Sequence, residues 1–324
     1  MSTEADFKTA YDLINKSQTI AIVGHIRPDG DCVGSALALN SVLEEMGKTV
    51  SIFFDDEIPK QFDYLEGFEK IQNDALSVDE VVYDLLIIVD LNSADRLGRF
   101  GFLRERCNKV ICFDHHIGFN IEDVDVVVSR TDYASCGEII YKFFVANNIK
   151  MNKQIADALY TSVSTDTGCF LYPATTSSSH IIAAELMNLG CDFEKINYLN
   201  FQVYDPVIIK GLRQILRHLR LRCGGQLSYS RLRNGKMFDA GARHKLKQYI
   251  TDIKGVRVSI LILQEGRRYY HVSLRSHGDV NVGIPAKHFG GGGHKNASGF
   301  TISGKYKKVV KQIVAEVEKQ IANL

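Results

Sequence analysis

The sequence predicts an α/β protein with a doubly wound parallel-sheet domain, joined by a helical connector to a smaller α+β domain. Three observations carry this. Short apolar runs alternate with helix-periodic stretches over the first two-thirds of the 324 residues, the pattern of strands buried on both faces and wound with helices. The charge also splits. Residues 1–204 carry 16 Lys and Arg against 31 Asp and Glu, a net −15, and residues 205–324 carry 23 against 7, a net +16. At the split lies a helix-like, Arg-rich segment that ends in Gly224-Gly225. The expected domains are therefore 1–204, a connector over 205–225, and 226–324. An acidic half suits cations and a basic half suits phosphate-bearing ligands, although opposite charges also dock two halves together.

The elements follow in order. Asp6 to Ser17 reads as an amphipathic helix. Next come a strand at 20–25, a helix at 33–46, and strands at 49–54, 84–89 and 109–113. Helices at 137–148, 152–163 and 178–189 complete the first domain. Ser135 and Glu138 have the Ser-x-x-Glu spacing of a capping box. Asp205-Pro206 opens the connector helix, which bears Arg213, Arg217 and Arg220. In the last domain Val256 to Leu263 and Tyr269 to Leu274 flank a Gly-containing turn and read as a hairpin. A short helix runs to Phe289. The final helix, Lys305 to Ala322, places Val309, Val310, Ile313, Val314, Val317 and Ile321 on one face.

Composition bounds the setting. Hydrophobic content of 45% and charged content of 24% are those of a soluble globular protein. No apolar run reaches ~18 residues, so no membrane span is expected. The N-terminus lacks the basic start and apolar core of a signal peptide. Seven cysteines without a CxxC pair suit reduced thiols and a cytoplasmic location. Cys32 and Cys169 read as small packing residues.

The chemistry concentrates at strand ends. Gly24-His25-Ile26-Arg27-Pro28-Asp29-Gly30-Asp31 leaves the first strand and enters a helix. Pro28 and Gly30 bend this turn, so His25, Asp29 and Asp31 can converge. Imidazole with carboxylates points to a divalent cation, Mn or Mg before thiolate-bound Zn. Another apolar run ends on Asp90, and a third ends in Asp114-His115-His116. Asp166 follows the helix at 152–163. Alone, each acid is ordinarily a turn or capping residue. Together they lie where doubly wound sheets bind ligands, beyond the carboxyl ends of the strands.

A second cluster lies near the C-terminus, in Gly290-Gly291-Gly292-Gly293-His294-Lys295-Asn296-Ala297-Ser298-Gly299. A bare glycine run is often a flexible loop. Here, glycines let backbone N–H groups approach an anion without an intervening Cβ, and Arg275, His294 and Ser298 supply further donors.

HxxxDxD, an Asp closing a strand, Asp-His-His closing another and a later Asp occur in the order found in the DHH phosphoesterase superfamily, over residues 5–195. The GGGGHxxASG pattern resembles the DHHA1 domain that follows DHH domains in one branch. The resemblance implies a DHH domain joined to a DHHA1 domain, and a two-metal phosphohydrolase with Mn²⁺ first and Mg²⁺ or Co²⁺ as alternatives. By position, His25, Asp29 and Asp90 correspond to ligands of one ion. Asp31, Asp90, His115 and Asp166 correspond to ligands of the other, with Asp90 bridging. Asp114 would orient a ligand, and His116 would stand beside the reacting phosphate. Arg275, Gly292, Gly293, His294 and Ser298 would bind the substrate's phosphate or nucleotide end.

Among such two-domain chains the sequence looks most like the small bacterial nanoRNases. They hydrolyse short oligoribonucleotides to mononucleotides, and 3′-phosphoadenosine 5′-phosphate to AMP and phosphate, with metal-activated water. Soluble cyclic di-AMP or pApA phosphodiesterases are the alternative, and exopolyphosphatase a third. The expected partner is a short RNA or nucleotide phosphate. Oligomeric state is left open, a homodimer included.

Overall fold

The computed structural model describes residues 4–74, 81–238 and 240–322. The chain divides into two compact units, Met1–Val203 and Tyr204–Leu324.

In the first unit α1 (Glu4–Lys16) leads into β1 (Thr19–Val23), α2 (Gly30–Glu45), β2 (Thr49–Phe53), β3 (Ile71–Gln72), β4 (Tyr83–Val89), β5 (Cys107–Asp114) and β6 (Val126–Ser129). Four helices follow: α3 (Cys136–Ala146), α4 (Lys153–Asp166), α5 (Ser177–Asn188) and α6 (Phe193–Asn197). The strands form one parallel sheet in the order β3-β2-β1-β4-β5-β6. Successive residues of the apolar runs bury on opposite faces. Ile20, Ile22, Leu85, Ile87, Ile111 and Phe113 pack under α1–α5. Ala21, Val23, Leu86, Ile88, Val110 and Cys112 pack against Leu97, Phe100 and Leu103 of a 3₁₀ segment, Ala94–Arg106.

The chain moves outward from β1 through β2 to β3, then returns to β1's other side as β4. The carboxyl ends of β1 and β4 are thus neighbours at the point where the winding reverses, the place such sheets offer to ligands. α2 starts three residues earlier than its apolar period predicts, because Asp29 caps it by accepting from the Cys32 amide at 3.2 Å. α4 extends to Asp166, so this acid sits on the last turn of a helix. α2 and α4 cross closely at Gly34, where an ideal Cβ would stand 2.3 Å from the Ala158 carbonyl oxygen. The capping box read at Ser135 and Glu138 is half formed. Ser135 accepts from the Glu138 amide, but the buried Glu138 carboxylate accepts from Ser179 Oγ. The reciprocal box forms at Thr176 and Ser179.

The second unit comprises α7 (Pro206–His218), β7 (Arg220–Arg222), β8 (Leu227–Arg233), α8 (Ala240–Thr251), β9 (Val258–Gln264), β10 (Tyr269–Ser276), α9 (Gly283–His288), β11 (Gly292–Gly293), β12 (Ala297–Ser303) and α10 (Tyr306–Ala322). Its sheet runs β11-β12-β10-β9-β8-β7, with β8 and β9 parallel and the other neighbours antiparallel. α9 and α10 cover one face with Val282, Ala286, Val309, Ile313 and Val317. α7 and α8 contribute to the cluster on the other face, through Ile208, Ile215, Ala242, Leu246 and Ile250. The helix that the sequence presents as a connector is thereby part of this unit's fold. Its Gly211 lies where a Cβ would meet Leu246 at 2.5 Å. Gly224 and Gly225 both take positive φ, in the turn between β7 and β8. Among the described residues no helix is long and apolar enough to cross a membrane.

Candidate functional site

At the reversal point β1 delivers Gly24 and His25. An ideal Cβ at Gly24 would meet the Phe54 ring at 2.2 Å and Cys32 Sγ at 2.5 Å, so only glycine fits this exit. His25 Nδ1 donates to the Ile26 carbonyl at 2.7 Å, which leaves Nε2 facing acids. It lies 3.3 Å from Asp90 Oδ2 and 3.6 Å from Asp29 Oδ2. Asp90 follows β4 with φ +61, a left-handed conformation that Asp tolerates better than most residues. Its amide donates to the Phe113 carbonyl, which fixes the buried carboxylate between three imidazoles. Asp90 Oδ1 is 3.4 Å from His115 Nε2 and 3.7 Å from His116 Nδ1. His115 Nε2 also lies 3.3 Å from Asp166 Oδ2 and 3.5 Å from Asp31 Oδ2.

His25, Asp29, Asp31, Asp90, His115 and Asp166 are thus brought together by β1, α2, β4, β5 and α4. Three overlapping groups of ligand-type atoms result: His25, Cys32 and Asp90; Asp90, His115 and His116; and Asp31, His115 and Asp166. Cys32 is fully buried, accepts from the His25 amide, and has its thiol pushed up to about 12 by burial. Its burial in the α2 core is consistent with a packing role.

Asp114 holds a different histidine from the one its expected role requires. Its Oδ1 accepts from His116 Nδ1 at 2.8 Å, whereas His115 turns to Asp31, Asp90 and Asp166. The pair leaves His116 Nε2 without a hydrogen-bond partner among the described residues, on a half-exposed ring.

The electrostatics are those of a cation site. Burial works against a charged His25 and a charged His115, yet the surrounding carboxylates overcome it. His25 is raised well above the ordinary imidazole range, and His115 to about 10. Burial would also raise Asp90, but the imidazoles of His115 and His25 beside it hold it below the usual carboxylate range. Burial and the neighbouring Asp90 raise Asp166 to about 7 and push Asp31 up. Positive charge is what this cluster of acids needs. Asp90 Oδ1 and Asp114 Oδ2 are buried without a hydrogen-bond partner among the described residues. Carboxylate oxygens outnumber imidazole nitrogens, a donor set that fits Mn²⁺ or Mg²⁺.

Four groups that the sequence reading did not single out hold Asp31. Its carboxylate accepts from Ser162 Oγ at 2.5 Å, the Cys136 amide at 2.8 Å, the Gly137 amide at 3.1 Å and Ser35 Oγ at 3.3 Å. The two amides open α3, so the positive end of that helix faces Asp31. Ser35, one helical turn after Asp31, and Ser162, one turn before Asp166, were the signals available.

In the second unit Gly292 and Gly293 pair with Gly299 and Ser298. Gly293 has φ +131 and would carry a Cβ 2.5 Å from the Ala297 carbonyl. His294 is exposed, and its amide donates to the Ala297 carbonyl at 2.8 Å. Ala297 registers with Arg275 and shares its face of the sheet. Ser298 lies on the other face and donates its hydroxyl to the Val282 carbonyl at 2.6 Å, where it braces the glycine turn.

A buried carboxylate–imidazole cluster at the reversal point of a doubly wound sheet, with a separate glycine-rich unit, defines a two-unit cation-binding α/β protein. The chain belongs to the DHH family: the model described as "DHH family, N-terminal domain" matches residues 19–163, and that described as "DHHA1 domain" matches residues 224–323. A probable bifunctional oligoribonuclease and PAP phosphatase NrnA of Streptococcus mutans is 31% identical over 301 residues, covering 90% of this chain and 92% of the relative. The bifunctional oligoribonuclease and PAP phosphatase NrnA of Thermus thermophilus is 28% identical over 310 residues, covering 92% and 90%. The crystal structure of an exopolyphosphatase-related protein from Bacteroides fragilis shares the fold, with TM-score 0.87 at 24% identity, covering 98% of this chain and 96% of that one.

Proposed function

We propose that the chain is a phosphoesterase that hydrolyses short oligoribonucleotides to mononucleotides and removes the 3′-phosphate of 3′-phosphoadenosine 5′-phosphate. The observation that carries the reading is Asp90. One of its oxygens lies against His25 and the other against His115, in a chain collinear with relatives named for these two activities.

His25, Asp29 and Asp90 would hold one divalent cation, and Asp31, Asp90, His115 and Asp166 the other, Mn²⁺ before Mg²⁺ or Co²⁺. When bound, such a pair supplies a water of lowered pKa and charge compensation for phosphoryl oxygens. The chain's own residues do the rest. Asp114 fixes His116 with Nδ1 as donor, so Nε2 can hold or deliver a proton at the leaving oxygen. The Asp31 hydrogen bonds keep that carboxylate in one orientation. Arg275, His294 and the amides of Gly292 and Gly293 would bind the substrate's phosphate end, with Ser298 bracing the turn. The seven free cysteines suit a reducing, cytoplasmic setting.

The test is a competition. The Mn²⁺-loaded protein receives equimolar 3′-phosphoadenosine 5′-phosphate, a 5′-phosphorylated diribonucleotide and cyclic di-AMP, followed by chromatography. Early loss of the first two with cyclic di-AMP intact is expected. Early loss of cyclic di-AMP, or of nothing, overturns the reading.

A further inference from the structure

The face of the second sheet that carries α7 and α8 also carries polar groups, among them Arg275, whose Nη1 donates to the Leu274 carbonyl at 2.9 Å, and an imidazole nitrogen without a hydrogen-bond partner among the described residues. His271, Ser273 and Arg275 alternate along β10 onto this face, while Tyr270, Val272 and Leu274 bury in the opposite core. Two contacts fix α8 along it. Thr251 Oγ1 and Ser259 Oγ are 2.7 Å apart, and Ser259 registers with Arg275. Arg243 reaches Glu265 Oε1 at 3.5 Å, just past the far end of the same ladder. Lys247, midway between Arg243 and Thr251, therefore lies along β9, the strand paired with β10.

Lys247 is half-buried, and its ammonium has no hydrogen bond or ion pair among the described residues. His271 Nδ1 is buried without a partner among the described residues. The acid at this end, Glu265, is engaged by Arg243. Burial, then the charges of Arg275 and Arg243, push Lys247 down to about 8; burial also lowers His271 and Arg275. Unneutralised cations and an orphaned imidazole work against folding and are what an anion would relieve. Gly299, opposite Ser273, keeps the face open, since a Cβ there would meet the Val272 carbonyl at 2.9 Å and the His271 ring at 3.8 Å. Arg275 pairs with Ala297 beside the glycine run, and His271 lies four residues further along the strand, about 13 Å at the usual strand rise.

We propose that Lys247, His271 and Ser273, continuing from Arg275, form a second phosphate subsite that takes an internal phosphodiester of a short oligonucleotide. It rests on the phosphoesterase reading above. It extends the site to a phosphate beyond the terminal one held at the glycine run, and so to selection by chain length.

The full chain is tested as Lys247→Gln, His271→Gln and Lys247→Arg. Binding of a 3′-labelled, 5′-phosphorylated triribonucleotide is read by fluorescence anisotropy in EDTA across a salt series. Competition with 5′-AMP is read alongside, and KM and kcat are measured with Mn²⁺. Lys247→Gln and His271→Gln are expected to weaken the trinucleotide ~10-fold and change 5′-AMP less than twofold. They should raise KM with kcat within twofold. For Lys247→Gln the slope of log K against log salt falls by about one, and Lys247→Arg restores it. The melting temperature of Lys247→Gln should match or exceed wild type, because a crowded cation is gone. An unchanged trinucleotide affinity and salt slope, or an equal loss for 5′-AMP and trinucleotide, overturns the subsite. Absence of hydrolysis by wild type would sink the phosphoesterase reading instead, and the binding arm would still decide this one.

Discussion

Asp90→Asn separates the role of this carboxylate from its place in the fold. Asn has nearly the same volume and, like Asp, tolerates the left-handed φ of +61, so the loop after β4 should keep its path. In the ion-free chain the change removes attraction to His25 and His115, but also the repulsion that raises Asp31 and Asp166. These oppose, and the ion-free stability should move by only ~1 kcal/mol. With Mn²⁺ the arithmetic differs. Each ion at about 100 times its Kd stabilises the folded state by about 2.7 kcal/mol, so two ions add about 5 kcal/mol. For a unit of this size, about 2–4 °C per kcal/mol makes that a rise of roughly 10–20 °C. Asp90→Asn should lose nearly all of the rise and ~10³-fold or more of turnover, whereas Asp29→Asn and Asp166→Asn should each lose about half of the rise. Calorimetry with and without Mn²⁺, alongside diribonucleotide hydrolysis, reads both. Retention of more than half of the rise by Asp90→Asn would refute the shared carboxylate.

Three further outcomes follow from the same geometry. Gly34→Ala forces α2 off the Ala158 carbonyl and disturbs Ser162 beneath Asp31; thermal melts should show a loss of ~3 kcal/mol, while Gly101→Ala, whose Cβ meets nothing nearer than 3.8 Å, should be near neutral. Asp166 is raised to about 7 in the ion-free protein, so its favourable contribution is present below the unfolded value near 4 and is lost as pH rises through 7; ion-free Asp166→Asn should melt higher than wild type at pH 8, by on the order of 1–3 kcal/mol, and not at pH 4. His116→Gln keeps a donor for Asp114 Oδ1 but has no transferable proton, so kcat should fall ~10²–10³-fold with the Mn²⁺-induced melting shift intact.

The sheet of the first unit was legible because its central strands are unbroken apolar runs, a pattern that burial on both faces imposes. β3 and β6 were not read: the two residues of one and the four of the other are too short to show a period. In the second unit β8 and α8 escaped because Leu227–Arg233 alternates weakly and α8 mixes Arg, His and Lys with few apolar positions. The site's acids and imidazoles were legible as residue types at strand ends. Their supports were not. Ser162 reaches Asp31 across 131 positions of sequence, and Gly34 matters only because another helix's carbonyl lies against it. The pairing of Asp114 with His116 has the same origin. Asp114, His115 and His116 are adjacent in sequence, and only side-chain directions decide which imidazole the acid holds.

The two halves of the chain use charge differently, and this bears on how its stability relates to its work. In the first unit, acids crowd at the winding reversal, and protonated imidazoles balance them in the absence of a cation. Their mutual repulsion appears as raised carboxyl groups at Asp31 and Asp166. In the second unit the crowding is cationic and appears as a lowered Lys247. Both arrangements oppose folding, and each would be relieved by a ligand of opposite sign. Under the proposed binding roles, stability at these positions is exchanged for binding. Neutralising substitutions there should therefore stabilise the ligand-free chain while weakening its ligands, whereas substitutions in the apolar faces of either sheet should weaken the fold first and activity only in proportion.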